Sequence, residues 1–86
     1  MAEPLNVLVA TIPRGSRAEI RVQLTEFKGS RYAEVRQYEE FSTAMGRRSP
    51  TAKGVIIPFD RLVQFARAVA EAEAQARDLG LIGAGQ

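Results

Sequence analysis

The spacing of apolar residues changes once along the chain, from a period of two to a helical period. Leu5 to Ile12 (LNVLVATI) is apolar and β-branched, and Pro13-Arg14-Gly15-Ser16 then signals a turn. Arg17 to Glu26 alternates: Ile20, Val22 and Leu24 point one way, and Glu19, Arg21, Gln23 and Thr25 the other. Phe27-Lys28-Gly29-Ser30 reads as a short hairpin connection, with Gly29 supplying positive φ. A third strand follows from Arg31 to about Phe41, with Ala33 and Val35 on one face and Tyr32, Glu34, Arg36 and Tyr38 on the other. Ser42 to Lys53 reads as a polar loop, and Gly54-Val55-Ile56-Ile57 as a short apolar fourth strand.

The helical period begins after Pro58, which suits the first turn of a helix, as does Asp60 beside the positive end of the dipole. Phe59, Leu62, Val63, Phe65, Ala66, Val69 and Ala70 recur at helical spacing as far as Leu79, and Gly80 is placed to end the helix. The pattern predicts an α+β fold: a curved four-stranded antiparallel sheet followed by one C-terminal helix. The same pattern predicts one domain over residues 1–80 and a flexible tail over 81–86.

Composition changes this picture in two ways. A chain of 86 residues buries only roughly 60–65% of its unfolded surface, so its core is marginal. With no Cys there are no disulfides to reinforce it. The helix's apolar residues span more than one face, which predicts a homodimer whose interface includes Leu62, Phe65, Ala66, Val69 and Ala70. The absence of both Cys and His also removes the usual zinc ligands, thiol nucleophiles and neutral-pH general base. The carboxylates are scattered and no Gly-rich phosphate loop occurs, so the expectation is a protein that is not an enzyme and takes no metal or cofactor. The first residues, MAEPLN, lack a basic leader, and no run approaches about 18 apolar residues, which predicts a cytoplasmic protein with no membrane segment.

Charge directs attention to the hairpin. Net charge is +2, but residues 1–57 hold nine Lys/Arg against six Asp/Glu, and ten of the twelve bases are Arg, the side chain suited to phosphate forks and ring stacking. On paired strands, Arg21, Tyr32, Arg36 and Tyr38 share one sheet face. Phe27, Lys28, Gly29 and Arg31 stand at its turn, and Arg47, Arg48 and Lys53 on the 42–53 loop. Basic groups meet phosphates and rings stack on unpaired bases, so this surface suits single-stranded nucleic acid. A plain exposed strand face has the same composition, with Glu34 pairing to Arg36 or Arg21.

The segments "IRVQLTEFKGSRYAEVRQYEEF" and "PTAKGVIIPFDRLVQFARAV" together resemble the C-terminal domain of the positive cofactor four family, single-stranded DNA-binding transcriptional coactivators with bacterial and phage relatives. The resemblance runs from about Arg17 to Leu79. It rests on the Phe27-Lys28-Gly29 turn, the strand with Arg36 and Tyr38, and the Lys53-Gly54-apolar-Pro58 run into a helix. It implies a helix-mediated homodimer whose sheets form paired channels for single strands or a melted duplex. Phe27, Lys28, Gly29, Arg36 and Lys53 would contact the nucleic acid. Ser30 stands where the family often has a second Lys, and Glu39 where it often has Trp. The Ser- and Lys-rich segment of eukaryotic members does not precede the domain, which points to a compact bacterial or phage type, nucleoid-associated if bacterial. Single-stranded DNA is the expected partner, with the transcription machinery a further one. Single-stranded RNA and an acidic protein partner are the alternatives.

Overall fold

The computed structural model of the protein describes residues 4–40 and 46–83. Strands β1 (Asn6–Pro13), β2 (Ala18–Phe27), β3 (Ser30–Glu40) and β4 (Arg48–Pro58) are followed by helix α1 (Phe59–Asp78). The strands form one open, curved antiparallel sheet in the order β1-β2-β3-β4. The predicted α+β class and element order hold.

The largest departure from expectation is β4. It begins at Arg48, so Arg48 to Lys53 belong to a strand and not to a loop. The polar residues masked the strand because a register shift between Arg36 and Tyr38 places Thr51 to Lys53 opposite Gln37 as a bulge. A strand at the sheet edge tolerates Pro50 and such an irregularity. Phe41 and the start of the expected loop lie outside the described residues.

Register sorts the side chains into two faces. One face carries four rows across the sheet: Asn6-Thr25-Tyr32-Pro58, Leu8-Gln23-Glu34-Ile56, Thr11-Arg21-Arg36-Gly54 and Pro13-Glu19-Tyr38-Pro50. The other carries Val7-Leu24-Ala33-Ile57 and Ala10-Val22-Val35-Val55. Ala33 and Ile57 are the buried hydrophobic residues among the described ones, and α1 touches β3 and β4, so the helix lies over that second face.

Pro58 is the N-cap of α1, not its first helical residue, and its φ of −60° leads the chain straight from strand to helix. At the far end, Gly80 (φ 74°) donates to the Arg77 carbonyl and Leu81 to that of Ala76, a Schellman closure. Arg77 also donates to the Gly83 carbonyl, so the segment after the helix folds back on it.

One copy leaves much apolar surface open. Leu62 and Phe65 are half-buried, whereas Phe59, Val63, Val69, Val7, Ile12 and Val55 are 41–62% exposed. The chain exposes 6781 Å², against about 5,000 Å² for a compact protein of its 9.4 kDa mass. Its radius of gyration, 15.5 Å, likewise exceeds the roughly 12 Å of a compact chain of this length.

Candidate nucleic-acid interface

The hairpin between β2 and β3 sets the far end of the polar face. Lys28 (φ 52°) and Gly29 (φ 81°) both occupy the left-handed region, the geometry of a two-residue type I′ turn. Gly29 does so freely. Lys28 is the one non-glycine residue with positive φ among the described residues, and holding it there costs about 1 kcal/mol. Backbone strain of this kind tends to persist at functional sites. Its ammonium lies 5.4 Å from the centroid of the Phe27 ring, and that ring is 62% exposed. The turn therefore presents a ring and a cation together.

Eight residues along β2, roughly 27 Å at strand rise, the same face ends in a second cluster. The Arg21 guanidinium sits 4.0 Å over the Tyr38 ring. The Tyr38 hydroxyl accepts from Gln23 Nε2 at 3.0 Å. Arg21 Nε donates to one oxygen of Glu19, and Arg48 Nη1 donates to the other. Glu19, 7% exposed, is the buried charged residue of the described chain. These two arginines hold its carboxyl below its ordinary value, Arg21 contributing the larger part. Arg48 Nη2 donates to the Ser16 carbonyl, which ties β4 to the β1–β2 turn.

Directly opposite Arg21 on β3 stands Arg36. Its Nε donates to Glu34 at 2.8 Å and its Nη1 to the Thr51 carbonyl at 2.7 Å. Gly54 makes this possible: a Cβ there would stand 2.8 Å from the Arg36 Cζ and 3.0 Å from the Val35 carbonyl oxygen. The glycine of the Lys53-Gly54 run thus provides the seat for the arginine on the neighbouring strand.

Of the residues singled out from sequence, Arg21, Phe27, Lys28, Gly29, Tyr32, Arg36, Tyr38 and Arg48 come together on this face and its turn. Two go elsewhere. Arg31 lies on the helix-side face, paired with Glu26 at 3.0 Å. Lys53 lies there too, with its ammonium 3.5 Å from Glu39, beside an open 210 Å³ groove lined by Ile20, Val35 and Val55. Arg47 is exposed just before β4. Of the five candidate interface residues on α1, Ala66, Val69 and Ala70 are exposed, while Leu62 and Phe65 turn partly toward the sheet.

Sequence reasoning gave Glu19 and the Thr51 carbonyl no part in the site, and it placed Gln23 and Gly54 without assigning them a contact. The alternation of β2 already put Glu19 and Gln23 on the face of Arg21, and that was the available signal. Their partners come from β3 and β4, whose register no local pattern reveals. The Glu34–Arg36 pairing, read from sequence as one of two options, is present.

No family model matches the sequence, and no curated protein matches it. Among solved structures, the chain is similar to a PC4 homolog from Burkholderia pseudomallei in two crystal forms. In the orthorhombic form the TM-score is 0.70 at 23% identity, covering 85% of this chain and 96% of that one. The tetragonal form gives 0.71 at 24% identity, covering 79% and 97%. The four antiparallel strands and closing helix described above are thus the fold of a PC4 homolog.

Proposed function

We propose that the protein is a sequence-tolerant single-stranded DNA-binding protein of the PC4 type, acting as a homodimer in transcription or another DNA transaction. The observation that carries this reading is the polar sheet face. An exposed ring and a strained lysine stand at one end of it, an arginine-covered tyrosine at the other, and Arg36 directly opposite that arginine. Rings and guanidinium planes accept unpaired bases, whereas a duplex hides its bases from them. The PC4-type fold and the sequence resemblance support the same ligand. The protein would work in the cytoplasm, and on the nucleoid if the cell is bacterial.

The homodimer is supported by area. About 1,800 Å² of surface beyond that of a compact chain is more than the roughly 800 Å² per partner of a standard interface. The exposed residues of α1 and the part of the apolar sheet face that α1 leaves open, at Val7, Ile12 and Val55, are the surfaces a second copy would meet.

An acidic protein partner is less well matched, because Arg21, Arg48 and Arg36 on this face are already paired with Glu19 and Glu34. The same pairing leaves few unopposed cations, so phosphate contacts are few. Competition binding among oligo-dT, the matching RNA and duplex DNA tests the reading. Oligo-dT should win over duplex, with a log–log salt slope of roughly −2, about −0.7 for each of three contacts. Absence of oligo-dT binding at low salt would end the proposal.

A further inference from the structure

The polar face contains an acid where a nucleic-acid-binding surface is least expected to hold one. Glu19 is buried at the centre of the Arg21–Tyr38–Arg48 cluster. Removing an anion from a phosphate-binding face would, by charge alone, tighten binding. The geometry assigns the opposite role.

We propose that Glu19 is a positioning residue: it fixes the Arg21 guanidinium over Tyr38, so that Arg21, and not the tyrosine ring, presents the outer surface to an incoming base. This rests on the single-stranded DNA reading above. Both oxygens of Glu19 are engaged, one by Arg21 Nε and one by Arg48 Nη1. Arg48 is anchored in turn on the Ser16 carbonyl. The carboxylate is thereby held by a strand and a turn that Arg21 does not belong to. Arg21 can then lie only where its Nε meets that carboxylate, 4.0 Å over the ring. The hydrogen bond from Gln23 to the Tyr38 hydroxyl fixes the ring from its other end.

Two consequences follow for the ligand. Arg21 Nη1 and Nη2 make no hydrogen bond among the described residues, so the guanidinium can stack on a base and still donate to a phosphate. Arg48 has both terminal nitrogens engaged within the protein and acts through Glu19, not on the ligand.

Binding of a fluorescein-labelled oligo-dT to the wild type, Glu19→Gln, Arg21→Ala and the double variant tests this, each checked as folded by circular dichroism. Glu19→Gln is expected to weaken binding about ten-fold, the order of one lost stacking contact. The double variant should bind no worse than Arg21→Ala alone. Tighter binding by Glu19→Gln, or a loss that adds fully to that of Arg21→Ala, would overturn the assignment. Should Glu19→Gln fail to fold, Arg21→Lys serves. It keeps the charge but loses Nε and the plane, and it should bind about as weakly as Arg21→Ala; wild-type affinity would refute the role. A ring-current shift of the Arg21 Nε–H resonance, lost in Glu19→Gln, reads the clamp in the free protein. If the wild type binds no oligo-dT, the functional reading fails and takes this role with it. If the wild type binds and Glu19→Gln binds equally well, the positioning role alone fails.

Discussion

Glu19 carries its negative charge inside the folded protein because two arginines surround it, and a buried carboxylate without them would be costly. Its carboxyl is held below its ordinary value of 4.5, by the hydrogen bond from Arg21 first and that from Arg48 second. A carboxyl depressed by folding contributes stability that is fully present above 4.5 and is lost as pH falls through the lower folded value. Urea unfolding between about pH 6 and pH 3 should therefore show wild-type stability declining over the acid end. Glu19→Gln, less stable at pH 6, should show a flatter profile. Parallel profiles for the two proteins would mean that this carboxyl is not coupled to folding.

At the scale of the element, the β2–β3 hairpin places function and stability in opposition. A type I′ turn favours Asn or Gly at its first central position, yet this one holds Lys28 at φ 52°. Lys28→Asn should raise stability by up to about 1 kcal/mol through relief of left-handed strain. The same change removes the cation beside Phe27 and should weaken oligo-dT binding several-fold. Thermal unfolding and anisotropy on one preparation would read both effects. A variant that gains stability and keeps full affinity would show that the turn lysine is incidental.

For the whole molecule, Ala33 and Ile57 are the buried hydrophobic side chains among the described residues, a small core for a chain of this length. A homodimer would make stability depend on concentration, so the melting temperature should rise with protein concentration. Val69→Glu, at an exposed site on α1, should shift light scattering toward monomer and lower the melting temperature by several degrees. A stable monomer with a melting temperature independent of concentration would remove the paired arrangement from the functional reading.

Local pattern was enough for most of the architecture. Alternation in β2 and β3 assigned both faces, because a period of two leaves no freedom once one face is apolar. Helical spacing after Pro58 located α1, and Gly80 its end. The Phe27-Lys28-Gly29 turn, Arg36 and Tyr38 were legible as candidates from the same pattern. What sequence could not reach were the long-range partners. Arg48 to Lys53 looked like loop because a bulged edge strand lacks alternation. Arg31 alternates with Ala33 and Val35 onto the helix side, whereas Lys53 stands in a bulge where no alternation could assign its face. Glu19 looked like surface, and only the meeting of β2 with Arg48, 29 residues further on, made it a buried clamp. The sequence by itself determined the elements, which depend on neighbours a few residues away. The tertiary structure decided which charges neutralise one another, because that depends on strand register and on contacts between distant segments.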